Sequence, residues 1–147
     1  MKKYLLLSIV LVCVGVLVSC GSRQTTSAYT PVANLNGEWK VVELNGKAVN
    51  AAETGQTINF DIPRLTFSGN AGCNRMSGSL ELPNSTTNNN LIKFLQVIST
   101  RMACPDMSGE QELFKVLDNV VRYEASPATG KVIFYGMDNS RIMAIER

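Results

Sequence analysis

The chain has 147 residues, with 14 Lys and Arg against 12 Asp and Glu, and no histidine. The missing imidazole excludes a Ser-His-Asp or Cys-His relay and removes the commonest metal ligand. The near balance of charge, with no basic stripe and no interleaved aromatics, gives no argument for nucleic-acid binding.

Lys2 and Lys3 precede an apolar run over residues 4–18, interrupted only by Ser8 and Gly15. A charged start followed by a short apolar segment reads as a secretory leader. The run is shorter than the ~20 residues that span a bilayer. It ends in "LVSC", residues 17–20, which resembles the lipobox of bacterial lipoprotein precursors. The resemblance implies cleavage of residues 1–19 and a lipidated Cys20, so that the chain is anchored to a membrane rather than spanning it. Gly21 follows the cysteine, which points to the outer membrane in enteric bacteria. Lys2 and Lys3 leave with the leader, so the 14 basic residues fall to match the 12 acidic ones and the mature net charge is zero. Residues 20–34 are polar and rich in Gly, Ser, Thr and Pro, as a tether would be. Residues 35–147 remain for one domain with its own core.

Within that domain "GEWKVVELNG", residues 37–46, reads as a strand with an Asn-Gly turn behind it. Residues 47–56 read as loop. Short strands are expected at 57–60 and 64–69, split by Pro63, and at 74–82, with Gly78 a candidate bulge. Residues 83–90 form a polar turn containing a formal glycosylation sequon at Asn84. Residues 91–104 suggest one or two strands with a bend near Gln96. One segment is helical: Ser108 stands in N-cap position with Gln111 three residues on. Leu113, Phe114, Leu117, Val120 and Val121 then share a face, with Arg122 in the last turn. Strands at 131–136 and 141–146, joined by "MDNS", close the chain as a hairpin. Many strands and one helix make an α+β domain.

"LNGEWKVVELNG" (35–46), "LTFSGNAGCNRMSGSLEL" (65–82), "ISTRMACP" (98–105) and "EQELFKVL" (110–117) resemble, in order, the META domain of HslJ-like bacterial lipoproteins. The pair "GCNRMSG" plus "TRMACP" is the most specific part. The resemblance implies a curved antiparallel sheet of about eight strands packed around one long α-helix. It also implies an envelope protein without established catalytic residues, with links to stress response.

Cys13 leaves with the leader and Cys20 is lipidated, so Cys73 and Cys104 form an even pair in an oxidising compartment. A disulfide between them would contribute ~3–4 kcal/mol by restricting the unfolded chain. Free structural thiols and a redox pair are the alternatives, though redox pairs are commonly spaced Cys-x-x-Cys. A zinc site would need two carboxylates, and none lies near Cys73 in sequence. Asn74 fits a tight turn. Arg75 and Arg101 either reach buried carbonyls or pair with Asp106, Glu110 or Glu112, or else join Asn74 in an interaction patch for an anion or partner. No carboxylate pair is placed for acid–base work: Glu110 and Glu112 face different ways on a helix. The expected function is therefore non-enzymatic, without cofactor or metal. It is binding or scaffolding by a lipid-anchored, monomeric envelope protein in stress, with an envelope protein as partner. The rival is a periplasmic binder of a small hydrophobic ligand, held in a pocket lined by Phe60, Phe67 or Phe134.

Overall fold

A computed structural model describes residues 32–82, 90–126 and 128–147. The leader, Cys20, most of the tether and the sequon at Asn84 lie outside the described residues. The domain opens with a single 3-10 turn, Val32–Leu35. That turn is pinned at once: the Trp39 indole donates to Leu35 O at 2.7 Å. Arg147 lies over the same indole, 4.5 Å from the ring centroid, and donates to Asn34 O and Asn36 O.

β1 (Gly37–Leu44) buries Trp39, Val41 and Leu44. Strict alternation would turn Glu43 inward. A register shift between Val41 and Glu43, opposite β9, resets the parity and brings Leu44 to the core instead. Asn45 (φ 48°) and Gly46 (φ 76°) then make the tight turn expected of Asn-Gly, joining β1 to β2 (Lys47–Ala48). Residues read as loop include a one-turn helix, α1 (Ala51–Thr54), capped by Asn50 and closed by left-handed Gly55. β3 (Thr57–Asp61) and β4 (Thr66–Asn70) form the expected pair around Pro63, with Ile58, Phe60 and Phe67 inward.

β5 (Arg75–Glu81) and β6 (Lys93–Ser99) follow. The bulge lies on β6, not at Gly78 itself: Gln96 takes φ 52° and the register shifts opposite Gly78. Gly78 is needed there for closeness. A Cβ at this position would lie 2.6 Å from the Phe67 ring and 2.7 Å from Leu95 O.

The main helix, α2, runs Ser108–Asn119, 12 residues. At 1.5 Å per residue it is about 18 Å long. This corrects the long helix that the resemblance implies, and the helical stripe read from Leu113 to Val121 stops short of Val120. Val120 is already extended (ψ 130°), and Arg122 opens a strand, β7 (Arg122–Ser126). The β-branched pair Val120-Val121 and the Arg122-Tyr123 alternation suit the pleated sheet, and pairing with β8 (Lys131–Tyr135) overrides helical periodicity. β9 (Arg141–Glu146) completes the hairpin read from the sequence.

All pairings are antiparallel, in the order β6-β5-β4-β3-β1-β9-β8-β7, with β2 on β1. The ends of this path are drawn together by a bridge between Leu91 and Arg122, with Ile92 N donating to Val121 O and Tyr123 N to Asn90 O. α2 lays Leu113, Val116 and Leu117 on the core, packed against β6 and β1. Phe60, Phe67, Phe94 and Phe134 pack ring on ring, with centroids 4.9 to 6.4 Å apart. These rings lie in the buried core, where the rival reading would place a hydrophobic-ligand pocket. At ~1.5–3 kcal/mol per buried aromatic, they are a main source of the domain's stability.

Candidate functional site

The segment after β4 turns sharply. Gly72 takes φ 126°, its N–H donates to Asn70 Oδ1, and Ala71 N donates to Asn74 O at 2.8 Å. The turn delivers Asn74 to the interior, where it is 1% exposed. Its side chain is fully used. Nδ2 donates to Glu110 Oε1 at 2.8 Å and to Met102 O at 3.3 Å. Oδ1 accepts from Thr100 Oγ1 and from Met102 N, both at 2.7 Å. The backbone N–H groups of Cys73 and Asn74 donate to Glu110 Oε2 at 3.2 and 2.7 Å. One asparagine thus ties together the turn, the segment before α2 and the first turn of α2.

Glu110 is the other half of this node. It is buried, with three N–H donors on its carboxylate, in the first turn of α2 where the helix dipole favours negative charge. The Cys73–Cys104 disulfide closes the same region, with Cα atoms 6.1 Å apart. The structure therefore joins Cys73 to Cys104 as expected and sets Asn74 beside them, whereas the guanidinium groups of Arg75 and Arg101 take no part in this node. Both arginines are exposed, and neither guanidinium has a partner among the described residues. The anticipated ion pairs are absent among the described residues; instead Glu110 accepts from amides, Glu112 from Asn45 Nδ2, and Asp106 from Ser108 N. Asn74, being buried, is no part of a surface patch.

The helix start also differs from expectation. Met107 occupies the cap position without a side-chain hydrogen bond, and Ser108 is the first helical residue. Asp106 supplies the acceptor instead, taking Ser108 N at 2.8 Å. Its hydrogen bonds from the Ser108 hydroxyl and N–H hold the Asp106 carboxyl below the usual carboxylate range.

Against this node lies an open cleft of about 410 Å³, lined by Glu53, Gln56, the disulfide, Asp106 and Glu110. Gln56 was not singled out by the sequence. It is 1% exposed, and its Nε2 donates to Ala71 O at 2.9 Å and Gly109 O at 3.0 Å, which orients the amide. Its Oε1 is buried with no donor among the described residues. Such an atom costs ~1–3 kcal/mol until it is satisfied. A second cleft, about 360 Å³, lies between α2 and the turns at Asn45 and Met137.

Elsewhere, Arg122 stacks 3.8 Å over the Tyr135 ring and pairs with Glu124 at 2.6 Å, while the Tyr135 hydroxyl donates to Glu124 at 3.0 Å. Burial, then Glu124, pushes the Tyr135 hydroxyl pKa upward. That network satisfies itself and lines neither cleft.

A family model for the META domain matches residues 32–147. The chain belongs to the META domain family. The META domain shares its fold with a protein from Burkholderia xenovorans solved by NMR, at 24% identity and TM-score 0.58, covering 78% of this chain and 84% of that one. It is also similar to a DUF4847 family protein from Bacteroides vulgatus, at 15% identity and TM-score 0.53, covering 76% of this chain and 92% of that one. No curated protein matches the chain. At these identities the two structures speak for the fold.

Proposed function

We propose that the chain is a lipid-anchored envelope lipoprotein, in which Cys20 carries the lipid and residues 20–34 tether a non-enzymatic META domain that binds or scaffolds a partner during envelope stress. The observation that carries this reading is the Cys73–Cys104 disulfide. Disulfides persist in oxidising compartments and are rare in the cytosol, which agrees with a charged, apolar leader ending in "LVSC". The buried polar groups of the Asn74–Glu110 node hold two loops and a helix start together. Its carboxylate is occupied by amide hydrogens rather than presented to a substrate. A packed aromatic core favours this reading over the hydrophobic-ligand alternative.

Metabolic labelling with palmitate tests the anchor. The wild-type chain should take up label and sediment with membranes, and Cys20→Ala should lose both. Label retained in Cys20→Ala, or a soluble wild-type chain, would refute it.

A further inference from the structure

We propose that residues 98–103 form an open sheet edge that takes up an extended, acidic segment of another protein as an added strand. β6 ends the strand path and pairs with β5 alone. The bridge that draws the two ends of the path together, Leu91 to Arg122, lies before β6 begins. Residues 98–103 are all exposed, Ile98 to 67% and Met102 to 60%. Thr100 N donates to Arg75 O and Met102 N to Asn74 Oδ1. This alternation carries the strand pattern on beyond β6, so the intervening N–H groups of Ser99 and Arg101 face away from β5. Neither has an acceptor among the described residues. Sheet edges are commonly guarded by bulges and lysines. Here Gln96 and Lys93 guard only the first half of β6. The Asn74 node and the disulfide at Cys104 hold the open half in place, so the ordering cost of strand addition falls on the partner.

The charge around this edge decides the occupant. Arg75 and Arg101 are exposed, and neither guanidinium has a partner among the described residues. Arg75 shares a cleft of about 220 Å³ with Ile98 and Thr100. An added strand would lie two strand spacings from β5, roughly 9–10 Å. An arginine and a carboxylate side chain close that gap between them, and the guanidinium fork suits a carboxylate. A second cleft, of about 230 Å³, is lined by Val97, Ile98, Phe114 and Asp118. It suits an apolar side chain, and Asp118 keeps incoming carboxylates at the arginine end. A second copy of the chain is the weaker occupant. Antiparallel pairing of β6 with itself about Gln96 and Val97 would set Lys93 of each copy against Thr100 of the other, next to its Arg101, with like charge on like.

The inference rests on the reading of the domain as a binding module and is independent of the lipid anchor. The test is an NMR titration of the full chain in non-ionic detergent, with amide exchange measured at saturation. The probes are a blocked heptapeptide alternating glutamate and valine, and the same peptide with lysine in place of glutamate. The acidic peptide should give saturable shifts at Ser99 and Arg101 and slow the exchange of those two amides about tenfold or more. The basic peptide should do neither. Arg75→Glu combined with Arg101→Glu, both exposed positions, should weaken binding about tenfold or more. Ile98→Ser should also weaken it, and Lys40→Glu, an exposed cation on β1, should leave it unchanged. Equal binding of the basic peptide, binding that leaves the Ser99 and Arg101 amides exchanging freely, or undiminished binding in the double variant would overturn the proposal. So would self-association of the peptide-free chain through these amides, which would make the occupant a second copy. Absence of peptide binding in a chain that still takes up palmitate would sink this inference and leave the anchor standing.

Discussion

Asn74→Ala is the substitution that most directly probes how the two cysteine-bearing segments are held. It removes four side-chain hydrogen bonds: to Glu110 Oε1, to Met102 O, and from Thr100 Oγ1 and Met102 N. The bond to the carboxylate is charge-assisted and worth ~1.5–3 kcal/mol, and the buried neutral ones about 1 kcal/mol each. Thr100 is exposed and can turn to water, so its share is discounted. The sum is about 3.5–5 kcal/mol, a large part of the 5–15 kcal/mol typical of a whole domain. At roughly 4 °C per kcal/mol for a domain of this size, Tm should fall by about 14–20 °C. Circular dichroism of the non-reduced chain reads this directly, with Arg75→Ala as the control. Arg75 is adjacent in sequence but exposed and unpaired among the described residues, so its loss should cost less than ~0.5 kcal/mol. Equal shifts in the two variants, or a larger one for Arg75→Ala, would refute the assignment of the structural role to Asn74.

Three further outcomes follow from the same structure. Reducing the Cys73–Cys104 link, which spans 31 positions, should lower the denaturant midpoint by the equivalent of ~3–4 kcal/mol; an unchanged midpoint would mean that the loop is held wholly by the Asn74 node. Gly78→Ala should cost about 1–3 kcal/mol by forcing Phe67 off its position, and a neutral result would show that β5 can move away from the ring. The Asp61, Asp106 and Asp138 carboxyls are held below their ordinary range by hydrogen bonds from Arg64, Ser108 and Ser140. A depressed carboxyl contributes stability above its unfolded value and loses it as pH falls through the folded one. With no histidine in the chain, Tm should be flat between about pH 8 and 5 and fall below about pH 4. A decline within the upper range would contradict that assignment.

The strands with clear alternation or clear turn chemistry were legible in the sequence. Asn45-Gly46 sets the β1–β2 turn, Pro63 separates β3 from β4, and the C-terminal hairpin matches its expected bounds to within one residue. What escaped reading depends on distant pairing. Val120 and Val121 continue a helical stripe, yet β8 captures the residues just beyond them. The bulge at Val42 leaves no local trace, because a bulge is defined by the partner strand, whereas the bend near Gln96 was legible. Glu110 did carry a signal. It stands three residues before Leu113 and seven before Leu117, on the apolar face of α2, where a carboxylate must find donors. Reading it only as an ion-pair partner for Arg75 or Arg101 missed this. Gln56 offered no such cue, since its partners at Ala71 and Gly109 lie 15 and 53 positions away. The two arginines drew attention because of their charge, while the amide beside one of them does the holding.

The account's central claim joins an exported, lipidated terminus to a stapled META domain, and one measurement reads both. Intact mass spectrometry of the chain extracted from membranes without reduction should find a polypeptide beginning at Cys20, increased by its acyl groups. It should also be two hydrogens lighter than the thiol form, because Cys73 and Cys104 are joined. A chain that keeps residues 1–19, or that carries two free thiols, would contradict it.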